Sequence, residues 1–334
     1  MAANDYAVVV AIQKYRNATA LQALEGPIND ADDFIGWLKS VGAVPDGNIF
    51  PYYLKSDDKA STPSQSEVWA KMTEIGALAP QGERVGRRIY IFLAGHGVGV
   101  DMDEVGLLTV EASSEADFTV AGAKAANYYS KNAYFDEVVL FMDCCRPWDV
   151  EVQAHYDPTK RRASPYAGEV RRFMAFASQF GLPARERSIG GRTNGVFSRA
   201  LIDGLKGAAA NPAGAVTTNS LRAYLPGAMQ RLLGTKEKQR AGYGVTDDIE
   251  FATGLPVQLA TVKVSMSPPI LPLTVRSGLD RSPIAGSELV TSGNTFTFKV
   301  PAFMTYIIQA GQPGQQGFRE IACKVEDGSY DAGL

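Results

Sequence analysis

Apolar residues along this chain fall into two kinds of run. Residues 6–12 (YAVVVAI), 89–93 (IYIFL), 138–142 (VVLFM) and 173–177 (FMAFA) are short and continuous, the pattern of strands buried on both faces. Between them, apolar positions recur at helical spacing: Ala31, Phe34, Ile35 and Leu38, then Val68, Trp69, Met72 and Ile75, and later Val196, Phe197, Ala200, Leu201 and Leu205. Asn29 is placed to N-cap the first of these helices, with Asp30, Asp32 and Asp33 at its positive end. Ser64-x-x-Glu67 reads as a capping box for the second. Residues 221–233 also read as helical, with Pro226 kinking or splitting the helix. Strands separated by helices predict an α/β fold built on a mostly parallel sheet flanked by helices.

The texture changes near Gly254-Leu255-Pro256. Beyond it, short β segments at 257–264, 271–276, 295–300 and 306–309 are separated by Pro, Gly and Ser clusters. The expected organisation is therefore an α/β domain over residues 1–254 and a small all-β C-terminal domain over 255–334, a sandwich or partial barrel. The 334 residues carry 33 Lys plus Arg against 36 Asp plus Glu. That balance gives no dedicated nucleic-acid surface and no polybasic membrane surface. Two histidines and three cysteines exclude a multi-histidine metal cage and a four-cysteine zinc site. The sparse, odd cysteine count, with no signal-like N-terminus and no long apolar run, predicts a cytoplasmic protein.

Two strands run directly into reactive side chains. Residues 89–93 lead into Ala94-Gly95-His96-Gly97, and 138–142 lead into Asp143-Cys144-Cys145-Arg146. Ligands of open parallel sheets bind at the carboxyl ends of strands, so a histidine at one strand end and a cysteine at another can face a common crevice. An imidazole accepts a thiol proton and stabilises the thiolate. Glycines beside it allow close approach of substrate backbone and free a peptide N–H for an oxyanion. Together these features describe a Cys-His acyl-transfer site.

The ordered pieces are the YAVVVAI strand, the Gly26-Pro27-Ile28-Asn29-Asp30-Ala31 turn, the AGHG element, the DCC element and the helix start at Gly195-Val196-Phe197-Ser198. Over roughly residues 5–253 the chain resembles the caspase, metacaspase and paracaspase superfamily of cysteine peptidases. In caspases the cysteine follows its histidine by about 50 residues; Cys145 follows His96 by 49. The resemblance implies His96 as general base, Cys145 rather than Cys144 as nucleophile, and the backbone N–H groups of Gly97 and Cys145 as the oxyanion hole. It further implies Asp30 and Asp143 as a substrate-binding acidic pocket of metacaspase type, suited to a substrate Arg or Lys. A self-cleavage site at Lys160, Arg161 and Arg162, in the loop after the nucleophile, and a role in defence or cell death follow by the same analogy. No cofactor is expected, although some relatives need calcium, and Asp101, Asp103, Glu104, Glu111, Glu115 and Asp117 offer oxygen ligands. Arg146-Pro147-Trp148, where the family has small residues, and Ala94, in place of a frequent serine, depart from the pattern.

Plainer roles stand beside these. Cys144 and Cys323 read as buried small hydrophobes, and His155 as an ordinary loop histidine. Asp30 has a competing role at a helix N-terminus, whereas Asp143 has no such helix in view. Lys160–Arg162 has a competing role as a solvated loop. The competing function is a catalytically silent caspase-like scaffold that binds protein partners through its cleft and β domain. A flavodoxin-like or Rossmann-type cofactor binder is disfavoured, because no G-x-G-x-x-G turn follows the first strand.

Overall fold

The structure, a computed structural model, describes residues 4–79, 83–99, 104–113, 116, 118–145, 164–235, 237–278, 281, 283–284, 290–325 and 328–334. The chain divides into two compact units, Met1–Asp203 with Ala228–Phe251, and Gly204–Gly227 with Ala252–Leu334.

In the first unit the chain begins with β1 (Asp5–Ala11), α1 (Pro27–Ser40), β2 (Tyr53–Lys55) and α2 (Gln65–Ala77). Next come β3 (Gly86–Gly95), a small antiparallel sheet of β4 (Gly97–Gly99), β5 (Val105–Leu108) and β6 (Thr119–Ala121), then α3 (Gly122–Lys131) and β7 (Phe135–Cys144). After β8 (Arg171–Phe176), the hairpin β9 (Glu186–Ile189) and β10 (Arg192–Gly195) leads into α4 (Val196–Asp203). Further along the chain lie β11 (Val216–Thr217), in the second unit, α5 (Thr218–Leu233), which begins in the second unit and ends in the first, and then β12 (Gly242–Thr246) and β13 (Glu250–Ala252). Among the described residues the central sheet has six strands in the order β12-β8-β7-β3-β1-β2. β2, β1, β3, β7 and β8 run parallel, and β12 closes the edge antiparallel to β8. Residues 89–94 of β3 and 138–144 of β7 are buried throughout, as continuous apolar runs in a sheet covered on both faces require.

The Ser64–Glu67 capping box forms as expected. The start of α1 differs. Its N-cap is Gly26, with Pro27 in the first turn and no side-chain cap, because proline's fixed φ is already helical and its missing N–H needs no partner there. Asn29 lies inside that turn and donates its Nδ2 to the carbonyls of Glu25 and Thr193. Pro226 does not split its helix, since α5 runs unbroken from Thr218 to Leu233 with the proline inside it. Leu205 falls beyond α4, in a separate turn at Gly204–Ala208.

The C-terminal unit holds two sheets among the described residues. One has the order β16 (Val290–Ser292), β17 (Thr295–Pro301), β14 (Leu259–Ser265) and β20 (Ser329–Gly333). The other joins β15 (Leu273–Ser277), β18 (Met304–Ala310) and β19 (Arg319–Val325). Alternating burial along β14 and β17 gives that sheet one apolar face, and Cys323 is buried on β19. Among the described residues, no helix is long and apolar enough to cross a membrane.

Candidate active site

Parallel strands in register place their carboxyl ends side by side. β3 and β7 pair with Ala94 opposite Asp143 and Gly95 opposite Cys144, so His96 and Cys145 leave the sheet from adjacent strand ends. Both line a cleft of about 340 Å³ in the first unit, together with Leu24, Asp30, Asp143 and the 184–187 segment. Successive residues of a strand point to opposite faces. Cys144 turns into the core and is 1% exposed, while Cys145 is only half-buried.

The half-buried His96 has its ring fixed from one side. Nε2 lies 2.8 Å from the Gln22 carbonyl oxygen; a carbonyl can only accept, so Nε2 carries the hydrogen and Nδ1 keeps the free lone pair. Cys145 Sγ accepts from the Ala184 N–H at 3.2 Å and lies 3.6 Å from the Ala184 carbonyl oxygen. Burial pushes the Cys145 thiol up, with the Ala184 N–H opposing it, so the sulfur is protonated at neutral pH. Gly97 is not among the residues lining the cleft, but it packs on the strand end beside them. A Cβ there would sit 2.8 Å from the Cys145 carbonyl oxygen, a close approach that only glycine permits.

The acidic floor is held differently from the sequence-based expectation. Asp143 does serve a helix, because its Oδ2 accepts from the Ser198 N–H in the first turn of α4 at 2.9 Å. Asp30, on α1, also reaches toward the start of α4, accepting from the Gly195 N–H at 3.0 Å and from Asn194 Nδ2 at 2.8 Å. Two carboxylates thus converge on one positive helix end, a meeting of residues 30, 143 and 195–198 that no local sequence pattern reveals. Burial pushes Asp143 up to about 6, and burial plus the neighbouring charge of Asp143 raises Asp30 well above the usual carboxylate range.

A third carboxylate, Glu186, joins them. It stands at the base of the β9–β10 hairpin, paired with Gly195, and its Oε1 accepts from the Gly26 N–H at 2.9 Å. The hairpin turns at Gly190-Gly191, both at positive φ, and that Gly-Gly pair is the local signal from which the hairpin could have been found. Arg192 ties the hairpin to α1 through Asp33 at 3.1 Å and the Asn29 carbonyl. The cations bordering the cleft are drawn aside, for Arg187 pairs with Glu237 and Arg185 lies 3.5 Å from the same carboxylate. Among the described residues, the carboxylate oxygens of Asp30, Asp143 and Glu186 accept only from neutral donors, whereas the Arg187 guanidinium donates to the Glu186 backbone carbonyl.

The remaining candidates are more dispersed. His155, Lys160, Arg161, Arg162 and the Arg146-Pro147-Trp148 stretch lie outside the described residues, as do Asp101, Asp103, Glu115 and Asp117. Glu104 spends its carboxylate on the N–H groups of Ala123 and Lys124 at the start of α3, and Glu111 accepts from the Gln65 N–H.

Comparison with known proteins bears on the whole of this unit. The sequence profile of the caspase domain (Peptidase_C14) matches residues 4–245, and the chain belongs to that family. A protein named a probable protease, from a Desulfuromonadales bacterium, is 27% identical over 215 residues, which cover 61% of this chain. The match covers 26% of that protein, so the chain spans about a quarter of its relative's length. The crystal structure of caspase-1 from Spodoptera frugiperda aligns with a TM-score of 0.49 at 12% identity, covering 73% of this chain and 87% of that one.

Proposed function

We propose that the chain is a cysteine endopeptidase of metacaspase type that cleaves peptide bonds after Arg or Lys. The observation carrying this reading is that Cys145 and His96 share a cleft with three carboxylates that, among the described residues, accept only from neutral donors. Buried carboxylates are costly unless paired. A substrate guanidinium or ammonium would supply the cationic partner that these carboxylates lack among the described residues, binding there by charge-assisted hydrogen bonds.

With the basic side chain on the floor, its carbonyl carbon comes to Cys145. The thiol holds its proton at rest, so Sγ attacks as its hydrogen passes to His96 Nδ1, a general-base step. The carbonyl electron pair moves onto oxygen, where the N–H groups of Gly97 and Cys145 receive it. Collapse breaks the C–N bond, and the leaving amine takes the proton from His96. Water then attacks the thioester, giving its proton to Nδ1, and Sγ leaves and regains a hydrogen. The Gln22 carbonyl accepts from Nε2–H throughout, in the neutral ring and in the imidazolium. The Ala184 contacts must loosen for attack, since both occupy the sulfur.

Self-cleavage at Lys160–Arg162, partner recruitment by the C-terminal unit, a cytoplasmic setting and a role in defence or cell death are extensions of the same proposal. The test is a positional peptide library with wild-type chain and Cys145→Ala. Cleavage confined to sites after Arg or Lys, absent in Cys145→Ala, is expected. Cleavage after Asp, or none after basic residues, would overturn the reading, and binding of peptides without turnover would favour the scaffold.

A further inference from the structure

Where β3 ends, the backbone loses its ladder partners. Gly95 opposite Cys144 is the last pair with β7, and on the other side the Ile12 N–H donates to the Ala94 carbonyl at 2.9 Å. The next amide, that of His96, would be left without a partner in a largely buried setting, an expensive omission. It donates instead to the phenol oxygen of Tyr15 at 2.7 Å. Tyr15 is 4% exposed, and its hydroxyl lies 3.4 Å from the Ile12 carbonyl oxygen, so the phenol bridges the ends of β1 and β3. Its ring also lies against the imidazole, with centroids 5.1 Å apart and planes inclined at 45°. Burial raises the phenol well above its ordinary value, which keeps the hydroxyl neutral across any working pH.

We propose that Tyr15 is a positioning residue for His96, fixing the backbone of the general base through its phenol oxygen and the imidazole plane through its ring. Gln22 holds only the Nε2 edge; a ring held at one edge can still swing with its backbone. Tyr15 restrains that freedom through the backbone amide and the ring contact, so that Nδ1 meets the nucleophile in one orientation. The inference rests on the reading of His96 as general base, yet it predicts a physical property of the histidine that can be measured without substrate.

The test uses Tyr15→Phe, which keeps the ring and deletes only the oxygen. With 15N-labelled histidine the full chain shows signals from two residues, His96 and His155, and His96→Ala assigns them. The wild-type His96 amide should be protected from hydrogen exchange, and its ring should stay in the Nε2–H tautomer. In Tyr15→Phe the amide loses protection and the ring signal shifts, while the His155 signals stay put. On basic peptides, kcat should fall roughly 10- to 100-fold with KM within about twofold, the scale expected for a displaced catalytic group. Unchanged His96 signals and kcat in Tyr15→Phe would overturn the proposal. If that variant does not fold, a wild-type His96 amide exchanging at the free-peptide rate would overturn it equally. A wild-type chain that shows the protected amide but cleaves nothing would sink the protease reading and leave the positioning contact standing.

Discussion

The two ends of the central sheet bury charge in opposite ways. At the amino ends of the strands, Asp5, Arg88, Glu137 and Arg171 lie side by side across β1, β3, β7 and β8. There, carboxylates meet guanidinium groups: Arg87 pairs with Asp5, and Arg88 and Arg171 both pair with Glu137. Burial pushes Asp5 up, but Arg87 and Arg88 pull it back. At the carboxyl ends, Asp30 and Asp143 are also buried, and the second carboxylate adds to the effect of burial on Asp30 instead of opposing it. One end is electrostatically closed. At the other, among the described residues, no cation pairs with the carboxylates of Asp30 and Asp143, which is what sets it apart as the candidate site.

Breaking the closed end should give the largest change in stability. Glu137→Gln leaves Arg88, 1% exposed, as an unpaired buried charge. A loss of about 3–5 kcal/mol in urea unfolding is expected, with cleavage by the remaining folded protein unchanged. Asp143→Asn should do the reverse: kcat/KM on Arg peptides falls roughly 100-fold through loss of a charge-assisted contact, while stability at pH 7 rises. The sign follows from linkage. The folded carboxyl titrates at about 6, above the unfolded value of about 3.9. The folded state therefore holds the proton more tightly, and stability falls as pH rises between those values. Thermal midpoints from pH 4 to 7 should slope downward in the wild type and less steeply in Asp143→Asn, where the raised carboxyl of Asp30 remains.

The same titration sharpens the specificity. As pH falls through about 6, the floor gains a proton and loses charge. The ratio of kcat/KM for arginine over its neutral isostere citrulline should therefore drop roughly tenfold between pH 7.5 and 5.5, about the effect of one charged hydrogen bond. A ratio indifferent to pH would mean that the floor's charge does not select the substrate. The smallest effect belongs to Glu186→Gln. Glu186 is half-buried and bonded to two backbone N–H groups. Loss of its charge should lower kcat/KM on Arg peptides by about three- to tenfold, since a more exposed pair contributes less.

The legible parts of this molecule are those whose environment is written locally. Continuous apolar runs give β1, β3, β7 and β8, and they place His96 and Cys145 at strand ends. The hairpin β9–β10 (ERSI, RTNG) carries no apolar alternation, so only its Gly-Gly turn announces it. β19 and β20 go unseen because their buried residues are few and widely interrupted by polar ones. Asp30 stands in the first turn of α1 as its sequence position suggests, but the helix served by Asp143 goes unseen, because that helix end is built from residues more than fifty positions away. Glu186 is 160 residues from the Gly26 N–H it binds, and Tyr15 is 81 from the His96 amide. Contacts of that range arise only once the sheet has brought its strand ends together.

The central claim is that an acidic floor delivers a basic residue to an activated Cys145. A peptide electrophile ending in arginine, and its aspartate counterpart, can be compared for covalent labelling, with the modified residue located by mass spectrometry. The arginine compound should attach to Cys145, depend on His96, and react at least about 100-fold faster than the aspartate compound, as expected for opposite charges at a buried carboxylate pair. Equal labelling by both, or attachment that survives His96→Ala unchanged, would contradict the account.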